Sequence, residues 1–386
     1  MKDKKKRIVN LLCRYLPSIL FLTVAVILLI LYGAAAAVIF AAAIIVAELI
    51  AYVCFCKGSL KIKTPDGYDE PYHPSVLCFE NRWNGWKYWM AFTPMPHSAE
   101  PYPDRWENPC VVVSDDGLSW EYPNGKVTAL EDLSDIQIKN KNYHSDTHLV
   151  FNEDKNRLEL FFRLNEGENC EQIHIFRKCS YDGVTWPEKE LLTSENNEVI
   201  SLKAVSPAVI YENGSYLTWF VADEGAKGPV YIASSEDGLF WSDIKKCELK
   251  GRFVEPWHID CRHIDGCYKL LVYDQNNELT LWESADGICF DFAGFLLKPS
   301  RQAGSFYNNH LYRACLVNTD AGCRMYFTAG NGKKNGLGVA QLDSGSKVKV
   351  ISASQKNSED YAEFFGDLFE KYTLIIFRIF QIIRNK

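Results

Sequence analysis

His144-Ser-Asp-Thr-His148 sets two imidazoles and a carboxylate at alternate positions, a spacing that puts all three on one face of an extended strand. Trp257-His258-Ile-Asp260 offers an aromatic ring, an imidazole and a carboxylate in four residues. Imidazole and carboxyl groups are the side chains that move protons near neutral pH, and both bind divalent metals. Five of the eight histidines (His73, His144, His148, His258 and His310) stand at or just before short apolar runs. That enrichment predicts a shared funnel rather than five unrelated core residues. Glu107, in Arg105-Trp-Glu-Asn108-Pro, supplies another carboxyl, and Asp146, Glu107 and Asp260 are the expected catalytic groups, one as general acid and one activating water. Each has a structural alternative: Glu107 can pair with Arg105, and Asp146 can cap a turn. The alternation through 144–148 suits a channel lining as well as a metal, so no metal is assigned. Gly330-Asn-Gly-Lys-Lys-Asn-Gly336 has the wrong spacing for a phosphate loop, no nucleophile elbow occurs, and no cofactor is expected.

The elements that must position these residues announce themselves by repetition. Ser114-Asp-Asp-Gly-Leu-Ser-Trp120, Ser180-Tyr-Asp-Gly-Val-Thr-Trp186, Ser235-Glu-Asp-Gly-Leu-Phe-Trp241 and Ser284-Ala-Asp-Gly-Ile-Cys-Phe290 are four copies of one turn. Asp-Gly makes a tight hairpin, Ser and Asp cap the turn amides, and the ring packs under it. Each copy lies between two β-type runs, the following ones at 126–130, 188–192, 245–249 and 295–298, and two further runs precede each copy. First strands are expected at 74–77, 147–151, 207–211, 258–261 and 310–314. A fifth unit without the turn ends the series. Five units of four strands predict an all-β, five-bladed β-propeller over 73–353, with 58–72 as linker.

The four turns, Ser206-Pro-Ala-Val209, Trp257-His-Ile-Asp260 and His144-Ser-Asp-Thr-His148 together resemble the five-bladed propellers of glycoside hydrolase family 43. The resemblance covers roughly 70–350. It implies an inverting glycosidase with a base Asp on blade one, a pKa-tuning Asp on blade two and an acid Glu on blade three. Only Asp146 matches; His73 stands at the first-blade position and Ser206 at the third. First strands of a propeller line its channel, so substrate contacts are expected from His73, Arg105, Asn108, His144, His148, Ser206, Trp257, His258, Tyr307, His310 and Arg313. Trp83, Trp86, Trp106 and Trp257 suit stacking on sugar faces, and Arg82, Arg105, Arg163 and Arg313 suit an acidic sugar. The reading is a glycoside hydrolase-like protein acting on or binding a polysaccharide or glycoconjugate. The alternatives are a non-catalytic carbohydrate-binding or polysaccharide-assembly module, and a phosphorylase or transferase.

The mean composition of the 386 residues, 47% hydrophobic and 24% charged with net charge −7, hides a partition. Residues 15–56 hold a single charged side chain, Glu48, and follow a basic 1–14 segment. As helix this stretch is too long for one straight crossing of a hydrocarbon core about 30 Å thick. A transmembrane hairpin over 15–57 is expected, with spans at 15–31 and 35–56; one span with an extension and a secretory signal are the other options. Lys and Arg flank both sides, so the hairpin puts both termini and the propeller on the cytoplasmic face of an integral membrane protein and offers a surface to a membrane-complex partner. Residues 359–386 carry a helical apolar stripe suited to the bilayer interface. Between these ends the chain is acidic, which excludes a nucleic-acid backbone as partner. The thirteen cysteines lack paired spacing and read as reduced thiols.

Overall fold

The structure, a computed structural model, describes residues 57–97, 107–167, 170–301, 305–320, 322–342 and 348–351, and in addition 24, 39, 43, 45–50 and 366. The chain divides into two compact units. One comprises 57–301 with 305–354; the other comprises 1–56, 302–304 and 355–386. The second lies almost wholly outside the described residues, and so do the expected membrane hairpin and the 359–386 helix. Residues 45–50 are helical. Among the described residues no helix is long and apolar enough to cross a membrane.

The first unit is the five-bladed propeller. Its five sheets, antiparallel but for a short parallel strand at the outer edge of blades three and four, start from inner strands Pro71–Trp83, Tyr143–Asn152, Ala204–Glu212, Pro256–Ile264 and His310–Thr319. Second strands Trp86–Pro94, Arg157–Glu166, Ser215–Ala222, Cys267–Asp274 and Gly322–Gly330 follow in register. They are built from large apolar side chains that pack between neighbouring blades: Trp89, Phe161, Phe162, Trp219, Leu270 and Phe327 are all fully buried. Every second strand has an apolar residue on both faces because each blade is covered on both sides, which is why these runs are nearly continuous rather than alternating.

The repeated turns behave as their residue types require. Asp116 Oδ1 accepts the amides of Leu118 and Ser119 at 2.7 Å, Ser114 Oγ accepts that of Gly117 at 2.9 Å, and the pattern recurs at Ser180/Asp182, Ser235/Asp237 and Ser284/Asp286. Each turn also touches the preceding blade. Trp219 Nε1 donates to Gly287 O at 2.7 Å, Tyr326 Oη donates to Gly117 O at 3.0 Å, and Arg177 donates to Asp237 O at 2.5 Å. The turns therefore fasten blade to blade, and the Tyr326–Gly117 contact closes the ring between blades five and one.

Two expectations need correction. No strand forms at 126–130; blade one has three strands, because Glu121 pairs with Val113 as an isolated bridge and the chain then rises as loop to bond Pro109 through Leu130 N. The 58–72 segment is not a free linker. Leu60 and Ile62 are buried in the core between blades five and one, Leu60 N bonds Leu337 O, and the inner strand of blade one already begins at Pro71. All ten cysteines among the described residues are free thiols.

Candidate active site

All five inner strands break register near the same height: between Tyr72 and Ser75, Ser145 and His148, Val205 and Ala208, Pro256 and His258, and Leu311 and Ala314. Each bulge inserts extra backbone and re-aims side chains. His73, Asp146 and Ser206 sit in these bulges with φ of 50°, 54° and 56°, a region costly for residues with a Cβ. Such strain concentrates where function needs a fixed geometry. Here three blades carry it at matching positions around one channel.

The bulges bring His73, Asp146 and His258 together, with one ligand atom from each within 4.8 Å of the others, all three residues buried. His258 Nδ1 is 3.4 Å and His73 Nε2 3.6 Å from Asp146 Oδ1. On its other edge His73 Nδ1 meets Thr93 Oγ1 at 2.9 Å and Glu107 Oε1 at 3.3 Å. With its proton on Nδ1, donated to Thr93 Oγ1, His73 turns the Nε2 lone pair toward Asp146. Asp146 Oδ2 accepts the amide of Ser206 at 3.2 Å and is ion-paired with Arg163 Nε at 3.0 Å. Asp146 Oδ1 and both ring nitrogens of His258 have no hydrogen-bond partner although they are buried.

The environment separates the two carboxyls. Burial, then the charge of Asp146, pushes Glu107 well above the usual carboxylate range. Burial works the same way on Asp146, but Arg163 and then His258 and His73 overcome it and hold Asp146 well below that range. Burial lowers both His73 and His258, against the pull of Asp146, so both imidazoles are neutral and their contacts with Asp146 are not ion pairs. The rim is aromatic. Tyr312 lies 4.1 Å from the His258 ring, Trp257 Nε1 donates to Tyr312 Oη at 3.0 Å, and the Tyr72 ring packs at a tilt 4.9 Å from Tyr312.

The remaining expected residues fall in different places. His144, Asp146 and His148 do not share a face, because the bulge at Asp146 breaks the alternation. His144 Nδ1 meets Asn108 Oδ1 at 2.7 Å, while His148 Nε2 bonds Val209 O at 2.8 Å, deeper in the channel. Asp260 belongs to that deeper layer. It pairs with Arg262 at 3.2 Å and accepts Leu316 N, so three carboxylates do not converge as expected. Arg313 bridges the layers, donating to Pro207 O at 3.0 Å with Nη1 3.7 Å from Asp146 Oδ1. Ser206 stitches strands, its Oγ donating to Ile259 O at 2.9 Å. His310 Nε2 reaches Tyr72 Oη at 3.4 Å on the rim. Tyr307, half-buried, packs on Phe306 and Phe327 against the core of blades four and five. Arg105 and Trp106 lie outside the described residues. Thr93, Tyr72 and Tyr273 line the site without having been expected there; Tyr72 adjoins His73 on an inner strand, the one signal that marked it. A cavity of about 680 Å³ opens at the other end of the channel, lined by Arg82, Glu212, Arg262 and His263 among others, and shares no residue with the His73 cluster.

No protein-family model matches the chain. It is 23% identical over 352 residues to the A type blood N-acetyl-alpha-D-galactosamine deacetylase of Flavonifractor plautii, covering 76% of this chain and 43% of that protein. An uncharacterized protein of Mycobacterium tuberculosis is 34% identical over 127 residues, 32% of this chain and 40% of the relative. The chain thus spans less than half the length of these curated relatives. Among solved structures, an N-acetylgalactosamine deacetylase from F. plautii in complex with blood group B trisaccharide superposes with a TM-score of 0.59 at 20% identity, covering 77% of this chain and 91% of that one. A GH43_1 enzyme from Xanthomonas citri complexed with xylotriose gives 0.52 at 11%, covering 80% and 98%. At these identities the likeness concerns the fold: a five-bladed β-propeller resembling the enzymes of glycoside hydrolase family 43.

Proposed function

We propose that the propeller binds an N-acetylated sugar at the channel mouth and hydrolyses its acetamide, with His73, Asp146 and His258 holding a divalent cation. The observation that carries this reading is the set of three buried lone-pair atoms within 4.8 Å, with Asp146 Oδ1 and the His258 nitrogens left without hydrogen-bond partners. Thr93 and Glu107 behind His73 complete the arrangement that orients a metal-ligating imidazole. Similarity to a deacetylase supports the substrate class. A bound cation supplies Lewis-acid polarisation of the amide carbonyl.

The chain's own groups supply the rest. Once ionised, Glu107 would take a proton from the attacking water and return it to the leaving nitrogen; oxygen adds to the acetyl carbon, the C–N bond breaks, and acetate and the amino sugar leave. Arg163 fixes Asp146 by its second oxygen, so Oδ1 stays aimed at the cluster. Trp257 and Tyr312 offer the flat aromatic rim against which a sugar ring stacks. Charge balance sets one condition. Arg163 and Arg313 already offset Asp146, so the cation is favoured when Glu107 gives up its proton.

The second reading is glycoside hydrolysis, favoured by the same separation of Glu107 and Asp146 into a protonated acid and an ionised base. Product analysis on N-acetylhexosamine glycosides with added divalent cation separates the two. Free acetate supports deacetylation and a free reducing sugar supports the glycosidase; tight glycan binding with neither product identifies a binding module. The proposal also keeps the domain at a membrane through 15–57, on the cytoplasmic side. The basic flanks of the apolar stretch support that placement, and a topology reporter fused after Lys386 tests it.

A further inference from the structure

One sector of the channel-mouth end is locally basic. The end opposite the His73 cluster presents the four repeat turns at 115–120, 181–186, 236–241 and 285–290, which carry Asp115, Asp116, Asp182, Glu236, Asp237 and Asp286 and no Lys or Arg. At the end that bears His258 and His310, the loops of blades four and five at 251–255, 298–301 and 331–334 carry Arg252, Lys298, Arg301, Lys333 and Lys334 against Glu255, with Glu278 beside them pairing Arg252 at 2.8 Å and Lys298 at 2.6 Å. The strand registers place these loops there: Pro256 pairs with Asp274, Leu279 with Leu297, and His310 with Gly330.

Apolar surface accompanies the basic charge. Phe253 is 82% exposed, the largest exposure among the exposed large apolar side chains of the described residues, and Phe295 is 44% exposed. The Arg252 guanidinium and the Lys298 ammonium sit over the Phe295 ring at 4.4 and 4.3 Å. This mixture of exposed rings ringed by basic groups is the composition that docks on anionic lipid headgroups. The chain enters the propeller in the same sector: Phe306 N donates to Lys57 O at 3.3 Å, and the residue before Lys57 ends the apolar 15–56 stretch.

We infer that the blade-four and blade-five sector docks on an anionic bilayer, with Phe253 inserted among the headgroups and Arg301, Lys333 and Lys334 against their phosphates. The channel mouth then faces the membrane surface, and a saccharide carried on a lipid is the form of substrate it meets. This last step rests on the sugar-binding reading above; the docking itself does not.

Hydrogen–deuterium exchange on the full chain with lipid nanodiscs tests it without any turnover, so its failure and that of the proposed activity are distinguishable. Amides in 251–254, 298–301 and 331–334 are expected to exchange several-fold more slowly on discs containing phosphatidylserine than on phosphatidylcholine discs. The effect should shrink in high salt, while the four repeat turns stay unchanged. Phe253→Ser combined with Arg301→Glu, Lys333→Glu and Lys334→Glu should abolish the slowing while the repeat turns still exchange as in the parent, which reports an intact fold. Equal exchange on both disc types, slowing at the acidic turns, or slowing that follows protein concentration without lipid, as a second copy would cause, overturns the inference.

Discussion

His258 Nδ1 stands 3.4 Å from Asp146 Oδ1, two buried atoms from opposite sides of the channel that no hydrogen bond joins. In the tautomer that turns the Nδ1 lone pair toward Asp146, the pair is repulsive unless something positive lies between them. A divalent cation resolves this, and it links binding to stability because only the folded chain assembles the cluster. Added Zn²⁺ or Mn²⁺ should raise the melting temperature of the parent, corresponding to about 2.7 kcal/mol at a hundredfold excess over Kd. In His258→Ala this increment should disappear. An equal increment in parent and variant, measured by differential scanning fluorimetry, would show that the cation binds elsewhere.

Asp146 is also the counter-ion of a buried arginine. With Arg163 Nε at 3.0 Å and both groups almost wholly buried, Asp146→Asn leaves a guanidinium uncompensated in the channel. Breaking such a pair costs about 3–5 kcal/mol. Urea unfolding of Asp146→Asn, Arg163→Met and the double variant should show the double losing less than the two singles together, by about 0.5–3 kcal/mol. Strict additivity would mean that Arg163 does not hold Asp146.

Thr93 positions His73 without touching the reacting groups. Its Oγ1, 2.9 Å from Nδ1, fixes the tautomer and the ring plane. Thr93→Val keeps the shape and removes the acceptor, and loss of such a partner typically costs about 10–100-fold in metal affinity or activity. Titration calorimetry should show that loss, and Thr93→Ser should restore most of the affinity. If valine and serine bind the cation alike, Glu107 alone orients the ring.

The fold was legible because its signal repeats: four Ser-x-Asp-Gly turns at blade spacing leave little choice of architecture, and the inner strands follow from the apolar runs before them. The site was legible only in part. His73, Asp146 and His258 can be named from their places on first strands, but alternation predicts that His144, Asp146 and His148 share a face. The bulge that separates them depends on a backbone at φ 54° that Asp146 adopts against its own preference. Nothing local specifies this; it is imposed by the ring, where Ser206 N and Arg163 reach Asp146 from other strands. Asp260 shows the same limit. It lies two residues from His258 on one strand, and the bulge at Trp257 sets how deep each falls. Thr93 ends a second strand, where the sequence does not reveal which neighbour it meets.

The repeat turns should make the propeller acid-sensitive. The amides of Cys289 and Ile288, with Ser284, hold the Asp286 carboxyl down at about 2, and Asp182 is likewise at about 2, its turn amides outweighing slight burial. A depressed folded pKa stabilises above the unfolded value of about 3.9, and that contribution is lost as pH falls from there to about 2. Asp286→Asn should therefore melt below the parent at pH 7, with the difference closing between about pH 4 and 2. A constant difference across that window would mean that turn geometry, rather than charge, carries the effect.

Glycines of the repeat turns are expected to be far less replaceable than other glycines of the same conformation. Gly183 and Gly214 both have left-handed backbones, with φ of 74° and 80°. Nothing lies within 4 Å of a Cβ built at Gly214, whereas one at Gly183 runs into the Trp89 ring. That ring is fully buried between blades one and two and cannot swing aside. Gly214→Ala should cost about 1 kcal/mol, the backbone term alone. Gly183→Ala adds overpacking of about 1–3 kcal/mol and should separate blade two from blade one. Combining Gly183→Ala with Trp89→Leu makes room at the turn, so the double variant should lose less than the sum of the single losses. If both glycine variants unfold at the same urea concentration, the turn does not fasten the blades, and the ring is held by its strands alone.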